Sequence, residues 1–290
     1  MDVAPQKRRQ AMNILFVGDI VGRPGRRALQ QALPELATRT RADLVIANGE
    51  NAAAGFGVTA SVVHEIFTAG VDVITTGNHV WNKKEAERLL AQESRLLRPA
   101  NYPPAAPGRG GGVFAARDGT PVAVLNLSGR VFMDCLDCPF REAERQIPLL
   151  AQQARVIIID MHAEATSEKL ALAWMTKRLR EQTGVQVSAV IGTHTHVQTA
   201  DAQVMPWGSA YITDVGMVGP RDSVLGVEPE LIIERFIRRM PMRFELARGP
   251  VVIGAAVVGI DEESGCARSM HAISEVVPDP LGEGRDEEQS

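Results

Sequence analysis

Short apolar runs recur along the first two-thirds of the chain, and most break off into a turn that carries polar chemistry. Ile14-Leu15-Phe16-Val17 leads to Gly18-Asp19, Leu44-Val45-Ile46-Ala47 to Asn48-Gly49-Glu50-Asn51, and Val71-Asp72-Val73-Ile74-Thr75 to Thr76-Gly77-Asn78-His79. Val156 to Ile159 ends in Asp160-Met161-His162, and Val187 to Ile191 ends in Gly192-Thr193-His194-Thr195-His196. Val122 to Leu127 and Tyr211-Ile212-Thr213-Asp214 are further runs of this kind. Runs this short, rich in β-branched residues and bounded by turns, predict buried strands.

Between them the spacing changes to a helical period. Arg26 to Arg39 sets Ala28, Leu29, Ala32, Leu33 and Leu36 on one side, with Pro34 as a potential kink. Thr59 is placed to cap a helix bearing Val62, Val63, Ile66 and Phe67. Helices are also predicted over Asn82 to Leu90, around Arg141 to Gln146, from Thr166 to Glu181 with Gly184 closing it, and over Pro229 to Met240. Strand alternating with helix predicts an α/β fold with a largely parallel sheet. Gly249 to Gly259 is a Val-rich closing strand without a matching helix, which suggests a second sheet in the final third. The Pro/Gly-rich stretch from Pro103 to Gly112 reads as a domain linker or a long loop between two sheets.

Composition narrows the function classes. The chain is 45% hydrophobic and 23% charged, ordinary for a globular protein. Pro278 to Ser290 carries Asp279, Glu283, Asp286, Glu287 and Glu288 against Arg285, which matches the net charge of −4, so the rest is close to neutral. That argues against a surface for duplex nucleic acid. No apolar run reaches membrane-spanning length, and the polar start lacks a signal-peptide core. Three cysteines suggest no disulfide framework, and the lone Cys135-Leu136-Asp137-Cys138 is not expected to hold zinc or act in redox. We expect residues 1–11 to be a flexible leader, 12–277 a single domain in the cytoplasm, and 278–290 a disordered acidic tail.

The candidate chemistry sits at the strand ends. In an extended segment residues i and i+2 share a side, so His194 and His196 could face one point. Alone, His-x-His is an ordinary polar loop pair. Asp19, Glu50/Asn51, Asn78/His79 and Asp160/His162 end other strands, however, and open α/β sheets gather functional groups beyond the strands' carboxyl ends. A nitrogen and oxygen set without thiolate suits Mn, Fe or Zn in an open site. Asp19, Glu50, Asn51, Asn78, His162, His194 and His196 are too many for one ion and suit two ions sharing a carboxylate. Two divalent ions against Asp19 and Glu50 leave a formal charge of about +2, which attracts phosphate.

Other candidates read as supporting groups. Glu164 and Glu168 are expected to cap or brace the following helix, and Asp160 to orient a neighbour. Asp214 is a candidate for orienting the ligands. His64-Glu65 lacks a second His for a zinc-protease helix. His271 and Arg23 read as solvated. The loop from Ala52 to Gly57 reads as a plain connection that could instead close over a ligand.

Gly77-Asn78-His79 and Gly192-Thr193-His194-Thr195-His196 resemble two motifs of the calcineurin-like metallophosphoesterases. The nearer resemblance is to their YmdB-like branch of bacterial phosphodiesterases. It is carried by Gly18 to Gly25, Asn48-Gly49-Glu50-Asn51, His162 to Lys169 and Asp214-Val215-Gly216-Met217, and runs from about Asn13 to about Ile260. The resemblance implies a layered α/β sandwich of two facing mixed sheets flanked by helices. It implies Asp19, Glu50, Asn51 and His196 on one ion, and Glu50, Asn78, His162 and His194 on the other. It further implies 2′,3′-cyclic nucleotides as a small phosphodiester substrate, iron or manganese as cofactor with zinc as another choice, and a homo-oligomer. Three positions depart from the wider superfamily: Val21 replaces the His of Asp-x-His, Glu50 replaces the usual bridging Asp, and Val80 replaces an acid after Gly-Asn-His. If an acid orients His79, it must come from elsewhere.

The expected reaction is in-line attack on phosphorus by a metal-bridging hydroxide, with His79 as general acid. Two other classes compete. A dinucleotide-dependent oxidoreductase would need GxGxxG, which Gly22 and Gly25 do not supply. A metal-bound regulatory or scaffold protein would show weak or incidental phosphoesterase activity.

Overall fold

The computed structural model describes residues 11–282. The leader expected over 1–11 therefore lies outside the described residues except for Ala11, which already opens a strand, and so does the acidic tail beyond residue 282. The fold is two facing mixed β-sheets with helices on both outer sides. The first sheet starts with β1 (Ala11–Val17), β2 (Asp19–Ile20), β3 (Leu44–Asn48) and β4 (Val73–Thr75). Helices α1 (Gly22–Arg39) and α2 (Ala60–Thr68) connect them, and α3 (Ala86–Gln92) follows. The second sheet is built from β5 (Gly111–Ala115), β6 (Pro121–Ser128), β7 (Val156–His162), β8 (Ala189–Thr193), β9 (Gln203–Val204) and β10 (Ala210–Ile212). Helices α4 (Pro139–Ala151) and α5 (Thr166–Thr183) cover it. The chain then returns through β11 (Met217–Pro220), α6 (Pro229–Arg238), β12 (Val251–Asp261) and β13 (Ala267–Val277) to the first sheet.

The two-faced burial of the strands explains their unbroken apolar sequence. In β1, Met12, Ile14 and Phe16 join Val124, Ile158 and Ile191 of the other sheet in the central layer. Leu15 and Val17 point the other way, onto Leu29 and Leu33 of α1 and Val62 and Ile66 of α2. Ile157 and Ile159 of β7 pack outward on Ile147 of α4 and Leu172 of α5. β1, β3 and β4 run parallel, as do β6, β7, β8 and β10, so both sheets send their carboxyl ends to a common edge.

The closing strands correct one expectation. They do not form the second sheet. β12 pairs antiparallel with β1 along one edge and with β13 along the other, which completes the first sheet. The Pro/Gly stretch is the crossover between sheets, and its end, Gly111 and Gly112, opens edge strand β5. Pro34 lies inside an unbroken α1. The helix expected over Asn82 to Leu90 begins later, at Ala86. Thr59 caps α2 as expected, its hydroxyl accepting from the Val62 N–H, and Gly184 closes α5 in a left-handed conformation.

Candidate functional site

The parallel strands deliver Asp19, Glu50, Asn51 and Asn78 from the first sheet, and His162, His194 and His196 from the second, to one place. His162 stands at its centre and is fully buried. Its Nε2 lies 3.1 Å from Glu50 Oε1, 3.1 Å from Asn78 Oδ1 and 3.1 Å from His194 Nδ1. On the other side Asn51 Nδ2 lies 3.0 Å from His196 Nε2 and 3.2 Å from Glu50 Oε1. Asp19 reaches both groups: its Oδ2 accepts from the His194 N–H at 3.2 Å, and its Oδ1 is 3.9 Å from His162 Nδ1 and 3.9 Å from His196 Nε2.

A buried network fixes the orientation of His162. The Thr193 hydroxyl donates to Asp160 Oδ1 at 2.7 Å, and Asp160 Oδ2 takes Thr75 Oγ1 and Asn48 Nδ2. With its proton already committed, Thr193 Oγ1 can only accept from His162 Nδ1, 2.9 Å away. The lone pair or proton at issue is therefore on Nε2, where a carboxylate oxygen and an amide oxygen converge. That point demands positive charge. Burial opposes charging His162, but the Glu50, Asp19 and Asp160 carboxylates prevail and raise its pKa to about 9. Burial pushes Glu50 up, yet His162 and His79 bring it down to about 2. Burial and then the His162 charge push His194 down to about 3, and burial lowers His196 as well. Burial raises Asp19 well above the usual carboxylate range, His162 opposing and Glu50, Asp214 and Asp160 reinforcing.

The donor set fits a metal. Glu50, His162 and His194 offer ligand atoms within 4.8 Å of one another. Asp19 Oδ1 is buried without a hydrogen-bond partner, a cost removed by a cation. A cation beside Asn51 would turn its amide over to present Oδ1.

The histidine pair converges for a different reason than pleating. β8 ends at Thr193, and His194 and His196 both take left-handed backbone conformations, with φ of 101° and 65°. Such strain persists only where surroundings enforce it. Here Asp214 does so: Oδ2 accepts from the Thr195 N–H at 2.9 Å and Oδ1 from Gly216 N–H at 2.9 Å, while Lys169 Nζ holds the carboxylate at 2.8 Å in a fully buried pair. The structure thus gives Asp214 a positioning role, although it lies past the end of β10. Glu168 braces a loop, accepting from the Arg130 and Val131 N–H groups. Glu164 is not the cap or brace expected for α5, whose N-terminus has no side-chain cap; instead its Oε2 is 3.0 Å from His194 Nε2.

His79 lines the cleft beside these groups. Its backbone N–H donates to Glu50 Oε2 at 3.1 Å, and its ring sits edge-on to Phe56 with centroids 4.9 Å apart. Among the described residues no carboxylate hydrogen-bonds the ring. The cleft measures about 270 Å³, and its walls include Phe56, Phe244, Leu225 and Leu246. Sequence reasoning missed the role of this apolar side, and it missed Asn48, Thr75, Thr193 and Lys169. Their signal was faint: polar residues that close otherwise apolar strands, and a lysine on the buried side of a helix.

Residues 15–273 match the family described as YmdB-like protein. A 2′,3′-cyclic-nucleotide 2′-phosphodiesterase of Bacillus subtilis (strain 168) is 46% identical over 253 residues, 87% of this chain and 93% of that one. The crystal structure of a hypothetical protein from Thermus thermophilus is similar with a TM-score of 0.81 and 40% identity, covering 93% of this chain and 100% of that one. That of a novel phosphatase from Mycoplasma pneumoniae gives a TM-score of 0.84 and 32% identity, over 93% and 95% of the two chains.

Proposed function

Because the chain belongs to the YmdB-like family, we propose that it is a two-metal phosphodiesterase acting on 2′,3′-cyclic nucleotides, the substrate class in the name of its Bacillus subtilis relative. The observation that carries the metal reading is the crowding of His162 Nε2 by the oxygens of Glu50 and Asn78, each at 3.1 Å. Asn78, His162 and His194 would hold one ion and Asp19, Asn51 and His196 the other, with Glu50 placed to serve both. Nitrogen and oxygen donors favour iron or manganese, with zinc as the next choice. When bound, the ions offset charge on the phosphoryl oxygens and bring the pKa of water from about 15.7 towards about 7.

The chain's own groups do the rest. His79 donates a proton to the ribose oxygen that leaves phosphorus, since an alkoxide is a poor leaving group. Its backbone bond to Glu50 fixes where that ring can reach. Asp214 and Lys169 hold the strained histidine loop, and Asp160 with Thr193 sets the His162 tautomer. Thr193→Val keeps shape but removes that hydroxyl. It is expected to weaken metal binding about 10–100-fold in a metal-buffer titration; wild-type affinity would mean the tautomer is set elsewhere.

We place the enzyme in the cytoplasm as a homo-oligomer. Free Cys135, Cys138 and Cys266 suit a reducing compartment. Exposed Ile233, Phe236, Ile237 and Met240 give an assembly an apolar surface to cover. Among the described residues no helix is long and apolar enough to cross a membrane. The test is a panel of 2′,3′-cyclic, 3′,5′-cyclic and aryl phosphates assayed with Mn and with Fe, beside metal analysis of the purified protein. The 2′,3′-cyclic nucleotides should be turned over fastest. Bound ions with background turnover would point to the regulatory role instead, and the absence of both bound ions and turnover would overturn the proposal.

A further inference from the structure

The cleft has two chemistries. Beside the ligand cluster its lining is polar, from Glu50, Asn51, His79, His194 and His196; the rest of its side chains are largely apolar, with Phe56, Phe244, Leu225 and Leu246 foremost. Both phenylalanines are only half buried. Aromatic surface left partly exposed beside a charged centre costs free energy unless a ligand covers it.

Their placement is built into the backbone. Phe56 sits in a turn where Ala54, Gly55 and Gly57 all have positive φ, at 57°, 91° and 74°. For Ala54 that conformation is strained. A Cβ at Gly57 would lie 3.2 Å from the His79 carbonyl oxygen, so this turn is packed directly against the segment carrying His79. Phe244 comes from the irregular segment after α6. Its ring lies 6.2 Å from that of Phe56, tilted by 36°, and Arg235 of α6 stacks over it at 4.8 Å. A guanidinium over an aromatic ring holds that ring in place.

We propose that Phe244 and Phe56 form a stacking wall for the nucleobase of the substrate. The inference rests on the cyclic-nucleotide reading above and adds the residues that recognise the base. With its phosphate at the ligand cluster, a nucleotide turns its base towards the remaining, apolar side of the same cleft. A base offers a flat neutral face that aromatic side chains take readily. Stacking on an aromatic ring is tolerant of base identity, so this wall accepts purines and pyrimidines alike.

The test compares 2′,3′-cyclic AMP with the base-free methyl riboside 2′,3′-cyclic phosphate, using wild type, Phe244→Ala and Phe244→Trp. Loss of a base–aromatic stack should raise KM for cyclic AMP about tenfold in Phe244→Ala. The ratio of kcat/KM between the two substrates should fall by a similar factor, and Phe244→Trp should restore it. An equal loss on both substrates, or no loss on cyclic AMP, overturns the proposal. Quenching of 2-aminopurine riboside 3′-monophosphate fluorescence provides a second readout that needs no turnover. Quenching by wild type but not by Phe244→Ala supports the wall even if the panel shows that cyclic nucleotides are not hydrolysed. Equal quenching by both, or none by wild type, overturns it.

Discussion

Replacing His79 with alanine is expected to lower kcat on 2′,3′-cyclic nucleotides by about 10²–10⁴-fold while metal content stays near that of the wild type. The split follows from how His79 is attached. Its polar link to the ligand cluster is a backbone N–H on Glu50 Oε2, which alanine retains. The ring itself touches Phe56 and faces the cleft. Aryl diesters should suffer less, because a phenolate leaves without needing a proton. Kinetics on both substrate types, with metal analysis of the same preparation, check the prediction. An equal loss on both types would remove the proton-donor role, and loss of both metals would make His79 a ligand.

A methyl group at Gly77 should be still more damaging. A Cβ there would lie 2.2 Å from His162 Nε2 and 2.3 Å from Glu50 Oε2, in the middle of the ligand cluster. Neither side chain can move aside, since His162 is bonded to Thr193 and Glu50 is buried against Asn51. Gly77→Ala is therefore expected to lose bound metal and to drop activity at least about 10⁴-fold, while the three hydrophobic layers keep the fold. Metal analysis and circular dichroism of the purified variant test this. Wild-type metal content with activity within tenfold would contradict the arrangement of Glu50 and His162 around this backbone.

The strands that end in the proposed ligands were legible because burial on both faces leaves a short apolar run of β-branched residues bounded by turns. Leu44 to Ala47 reads as a buried strand and is β3, which places the polar groups that follow at its end. The same logic located Asp19, Asn78 and His162. It failed where local pattern and tertiary cause part company. The convergence of His194 and His196 depends on left-handed backbone held by Asp214, and strand alternation says nothing of that. β5 is an edge strand of half-buried residues and was masked by neighbouring Pro and Gly. β13 pairs with its sequence neighbour β12, but exposed and half-buried residues dominate it and leave no clear alternation. Phe244 and Leu246 sit in irregular chain, where no period marks them as cleft-lining.

The site also divides cleanly by origin. Asp19, Glu50, Asn51 and Asn78, the oxygen donors, belong to the first sheet, and the imidazoles of His162, His194 and His196 belong to the second. Neither half owns a full coordination sphere, so cations would act as rivets across the seam and reward only the closed sandwich. By linkage, chelation should lower the melting temperature, and added Mn should raise it with concentration. A melting curve indifferent to both would mean the halves stay joined without help.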